Sequence, residues 1–203
     1  MGLTSDNDKV AYCNCMEQLK RRLGLVWGVT SGAVRTGDES ADGEFVCLQL
    51  RKCLELIAFS ALCAHREHYL RVRADLENEW RAKRILDRLS AIHADFYPQP
   101  VVPRSLGPGR WHFDAVTDGF LTQDEFVFLY DKCAEAVHEW NPYRPGPRKI
   151  DLQRTVSDWA HRIDRLMAFH WVRLVDQDDL LLVRLVDPID NKARVLTASP
   201  TAG

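Results

Sequence analysis

Long apolar stretches are missing from this 203-residue chain. The longest, Leu56–Ala64, falls far short of the roughly 20 residues that a membrane helix needs. The opening MGLTSDNDKV lacks the basic-then-apolar layout of a secretory signal. Charge of one sign is also missing. Twenty-seven Lys and Arg face 29 Asp and Glu, a net charge of −2, so nothing draws the whole molecule to nucleic acid or anionic lipid. Six cysteines are present, but no C-x-x-C pair. Cys13 and Cys15 have no second Cys/His pair at zinc-finger spacing, and Cys47, Cys53 and Cys63 read as small core residues. No metal or other cofactor is expected, and no membrane partner. The expectation is a cytoplasmic chain with reduced thiols. Also absent are G-x-x-x-x-G-K, G-x-G-x-x-G, H-E-x-x-H and G-x-S-x-G, which argues against P-loop, dinucleotide-binding, zinc-protease and α/β-hydrolase chemistry.

Helical periodicity is what the chain has most of. Met16, Leu19, Leu23 and Val26 recur at helical spacing between about Asp8 and Trp27. A second helix is predicted from about Glu44 to Ala64. Its second half, LIAFSALCA, is apolar on every side, and a helix of that kind is surrounded by other elements. The pattern predicts a third helix from Glu67 to His93, kinked near Asp75. Its polar face interleaves arginines with carboxylates, a solvated face or a docking surface. Thr122-Gln-Asp-Glu125 is a capping box opening a fourth helix, which stops near His138 because Asn141-Pro142 cannot continue it. A fifth begins at Asp151 as N-cap and runs to about His170.

Between the third and fourth helices, Ala94–Leu121 is rich in Pro and Gly and reads as a long loop, with Trp111–Val116 as a short strand. After Trp171 the period becomes β-like. Runs at 171–175, 180–186 and 193–197 are separated by good turns. The expected architecture is thus mainly α: about five helices in a bundle over residues 1–171, with a Pro-rich loop, and a small C-terminal antiparallel meander over 172–203 packed on it in the same domain.

Charges on the central helix point to the candidate site. Arg51 and Glu55 lie one turn apart where burial is expected, and a buried charge must be paired or must bind something. His138 ends the fourth helix. Arg51, Glu55, Lys132 and His138 are expected to converge in a bundle. In one reading His138 is a general acid/base and Arg51 steadies a phosphate, with Lys132 and Asn141 as substrate-binding residues. In the other, Arg51–Glu55 is a structural ion pair and His138 a helix C-cap. His65 and His68 read as capping or surface residues, since a two-histidine metal pair would want a third ligand. His112 reads as a packed loop residue.

A compact bundle of about five helices resembles the HEPN superfamily, whose signature is Arg, four to six residues, then His. Arg88-LSAI-His93, Arg165-LMAF-His170 and Arg154-TVSDWA-His161 have that spacing. Only the last has a polar residue after the Arg. The chain is also similar to a group of uncharacterised bacterial helical proteins through Leu50–Ala58, Asp95-Phe-Tyr-Pro98, and Tyr130–Cys133 running to His138 and Asn141-Pro142. The HEPN resemblance implies an RNA-acting protein, a metal-independent ribonuclease toxin or defence effector, and leaves a homodimer open. The rival expectation is a non-catalytic protein–protein interaction module, docking through the charged third helix or through Ala94–Leu121.

Overall fold

The structure, a computed structural model, describes residues 5–72, 79, 81–139, 141–143, 150–175 and 179–199. Helix α1 (Asp6–Thr30) starts on Ser5, whose hydroxyl accepts from the Asp8 N–H. Helix α2 (Glu39–Ala64) starts on Asp38, whose carboxylate accepts from the Ala41 N–H. The turn between them passes through Gly32 and Gly37 at φ 78° and 94°, where a side chain would be strained. The two helices run antiparallel, and Arg22 reaches back to Gln49 at 2.8 Å. Leu50, Cys53, Leu54, Ile57, Ala58 and Ala61 of α2 are all solvent-free. This helix touches α1, α3 (Arg66–Val72), α4 (Ala82–Ile92), α5 (Gln123–Val137) and α6 (Val156–Met167), so it does thread the middle.

Five strands complete the described residues: β1 (Gln99–Gly107), β2 (Arg110–Ala115), β3 (Phe169–Arg173), β4 (Leu180–Arg184) and β5 (Arg194–Ala198). They form one antiparallel sheet in the order β2-β1-β3-β4-β5. This overturns the mainly α reading and the all-α helical bundle with it. Among the described residues there are six helices and a five-stranded sheet, an α+β fold of two layers. The error lies in the Pro-rich segment, most of which is a hairpin rather than a loop. Proline cannot donate to a ladder and is tolerated where one side is unpaired. β1 pairs β3 only at Gln99 and Pro100, so Pro103 is laddered to β2 alone. Pro108-Gly109 makes the hairpin turn, with Gly109 at φ 71° as the third residue of a type II turn requires. The hairpin joins the C-terminal meander through β3 and turns a small appendage into a five-stranded sheet that forms the second layer of the fold.

Other boundaries moved for local reasons. The last helix is capped by Thr155, whose hydroxyl accepts from the Asp158 N–H. Asp151 instead accepts from the Gln153 N–H at 2.8 Å, and Gln153 sits at φ 58°, outside any helix. The long third helix is two helices, α3 and α4; the expected kink at Asp75 lies outside the described residues. The capping box of α5 is formed as read, with both Thr122 and Glu125 engaged.

One face of the sheet covers the helices. His170, Val172, Leu181 and Val183 point inward and are fully buried. The turn before β5 rides on α1: Glu17 accepts from the Ala193 N–H at 2.6 Å, and Lys20 donates to the Asn191 carbonyl at 2.6 Å. The other face carries no layer among the described residues. No helix among the described residues is long and apolar enough to cross a membrane.

Candidate functional site

Arg51 and Glu55 share one face of α2 against α5. The Arg51 Nη2 donates to the Tyr130 hydroxyl at 2.7 Å and Nη1 to the Tyr130 carbonyl at 3.3 Å. Its guanidinium lies 4.0 Å from the centre of the same ring, a cation–π contact. The Nε faces Glu55 Oε1 at 3.4 Å, and Lys52 Nζ takes Oε2 at 2.9 Å. All three nitrogens of Arg51 and both oxygens of Glu55 are therefore engaged, in side chains only 19% and 13% exposed. A phosphate would have to displace these partners to reach the guanidinium.

The remaining residues picked out with them lie elsewhere. His138 caps α5 at its C-terminal end, exposed, eight residues past Tyr130, which is about 12 Å along the axis. Lys132 is ion-paired with Glu135 at 3.0 Å. Asn141, also exposed, accepts from the Tyr143 N–H at 3.0 Å, closing a turn. The structure brings Arg51 and Glu55 together with Tyr130 and Lys52; it sets His138 and Asn141 apart from them.

Two histidines are sealed in the core. His170 Nδ1 contacts the Met167 carbonyl at 3.1 Å; a carbonyl only accepts, so this nitrogen carries the proton and Nε2 accepts from the Tyr12 hydroxyl at 2.8 Å. Burial holds the His170 pKa down at about 4 and pushes Tyr12 up. His65 is equally enclosed. His112 is not a packed loop residue: it is exposed on β2, with Nε2 3.2 Å from Asp114.

The open face of the sheet is where sequence reasoning saw least. Alternation along the strands turns Phe169, Trp171 and Arg173 of β3 outward, with Leu182 and Arg184 of β4 and Arg194 and Leu196 of β5. The hairpin adds Pro103, Trp111 and Phe113 on the same side. Phe113 stacks on Phe169 with ring centres 5.9 Å apart at 15°, and meets Trp171 edge-on at 6.3 Å. The Arg184 guanidinium lies 5.3 Å from the Phe169 ring centre. All of these except Trp171 and Arg173, together with Asp187 and Ile189 of the turn after β4, line a concavity of about 520 Å³, within the range of ligand sites and mostly apolar, with Trp111 56% exposed.

Charge on this face has one sign at the strand positions. Arg173, Arg184 and Arg194 point outward, and no strand places a carboxylate there. Arg194 is held by two acids of the β4–β5 turn, Asp187 at 3.8 Å and Asp190 at 2.7 Å, and Arg173 faces Asp95 at 3.9 Å. Among the described residues Arg184 has only the Phe169 ring as its partner. The signal for this site was dispersed: its aromatics come from two segments more than fifty residues apart that only strand pairing unites. Comparison with protein-family models, curated proteins and solved structures finds no match.

Proposed function

We propose that this is an RNA-acting protein that holds single-stranded RNA on the outward face of its sheet. The observation that carries the reading is the aromatic concavity of Trp111, Phe113 and Phe169 with Arg184 at its side, on a face whose strand charges are all arginine. Unpaired bases stack on aromatic rings, and arginine meets both phosphate and base planes. A sheet also holds such rings rigidly, so little order is lost on binding. The HEPN resemblance implied RNA by another route. The present reading assigns RNA binding and leaves Arg51 and Glu55 a structural role, since their polar groups are already satisfied by protein.

The same face has aliphatic members, Leu182, Leu196 and the 89% exposed Ile189, which would suit a protein partner instead. Salt separates the two. Binding of a short single-stranded RNA should weaken with salt at a log–log slope of about −1 to −2, from the two or three arginines. Trp111→Ala and Arg184→Ala should each weaken it on the order of tenfold. RNA affinity unchanged in both variants, or no RNA binding at low salt, would reject the proposal. Salt-insensitive binding of a purified protein at this face would favour the interaction-module reading.

A further inference from the structure

A second candidate site lies inside the protein where α2 and α4 end. α2 ends on His65 as its C-cap and α4 ends on His93 as its C-cap. The imidazole centres are 5.8 Å apart with planes at 60°. His65 is 1% exposed. Nδ1 and Nε2 of His65 and Nε2 of His93 are buried without a well-formed protein hydrogen bond, the Phe96 backbone alone lying near the His65 ring. Buried polar atoms without partners are rare, because each costs about 1–3 kcal/mol. Elsewhere this core satisfies its imidazoles, as the Tyr12–His170–Met167 chain shows. Even with the Phe96 backbone beside one nitrogen of His65, the other and Nε2 of His93 are left unmet in one place and call for a ligand.

The geometry points to a metal ion held between His65 and His93, and specifically to copper(I). A metal bound at ~2.0 Å by one nitrogen of each ring sets ring centres at most ~6.2 Å apart, and 5.8 Å falls just inside that limit. The negative ends of two helix dipoles meet at these caps, which favours a cation. The groups acting on His65 are burial itself, His93, His68 and the Phe96 backbone; no carboxylate is among them. An uncompensated divalent ion would be costly to bury there, and a monovalent one much less so. Among the described residues no three His, Cys, Asp or Glu side chains form a metal cage, so the ion must accept low coordination. Copper(I), a d10 ion that takes two imidazoles in near-linear geometry, meets both demands. The Phe96 carbonyl lies where it could receive the remaining N–H of His65, the outer-shell partner that ligating histidines usually have.

The test is anaerobic titration of the whole chain, labelled with 15N-histidine, with copper(I). Ring-nitrogen NMR signals report each imidazole separately, so uptake by the six thiols cannot mimic the result. One nitrogen of His65 and Nε2 of His93 should shift together at one equivalent, with the exposed His112 unmoved. His65→Leu and His93→Leu should each lower the affinity of this site by on the order of tenfold or more. Copper taken up with both imidazole signals unmoved overturns the proposal. So does a shift at His65 that persists undiminished in His93→Leu. The wild-type spectra decide the matter even if a variant fails to fold.

Discussion

The helical layer and the open sheet face treat side chains in opposite ways. In the helices, charge is enclosed and consumed: Arg51, Glu55, Lys52 and Tyr130 satisfy one another between α2 and α5. On the sheet, apolar surface is left in the open: Trp111, Leu196 and Ile189 face solvent beside an arginine stacked on a ring. A titratable cluster is where chemistry is usually sought, yet here the cluster is spent on holding two helices. Surface that contributes little to folding is the better guide to binding.

The sharpest break between the regions should be in stability. Ile57→Ala, in the middle of α2, should cost about 3–4 kcal/mol in denaturant unfolding, while Leu196→Ala on the outer face should stay within about 0.5 kcal/mol. Similar losses at both positions would mean that the sheet face is part of the core. Acid should act on the helical side next. His170 stays neutral in the fold down to about pH 4, whereas in the unfolded chain it takes a proton near 6.5. Its contribution is complete above about pH 6.5 and is lost as pH falls toward 4, about 3 kcal/mol at most. His65 adds a loss in the same window. Urea midpoints between pH 7.5 and 4.5 measure this fall, and His170→Gln should flatten part of it. Arg51→Ala should cost about 2 kcal/mol, because it leaves Glu55 largely buried with Lys52 alone. Smallest of all, Lys83→Ala removes an exposed pair with Asp131 at 2.9 Å and should change the unfolding midpoint by no more than about 0.5 kcal/mol equivalent.

What could be read from the chain was whatever is written locally. The capping box at Thr122 and Glu125 and the all-round apolar LIAFSALCA each announce themselves within a few residues. The cap at Thr155 was masked by Asp151, an equally good capping residue, and only the left-handed Gln153 between them decides which one starts the helix. The hairpin was hidden because its prolines read as loop; what tolerates them is the short β1–β3 pairing, a property of the sheet and not of the segment. The site went unseen for the same reason. Arg51 and Glu55 are one turn apart in sequence and met as expected, whereas Trp111, Phe169 and Leu196 are neighbours only across paired strands.

The proline-rich β1 also sets an order of assembly. Pro100 must find His170, seventy residues further on, before the two halves of the sheet become one. Closing so long a loop is slow in entropy terms, while the α1–α2 hairpin and the β1–β2 hairpin close over short spans. The aromatic face therefore exists only once that long-range pairing has formed, since Trp111 and Phe113 meet Phe169 and Trp171 across it.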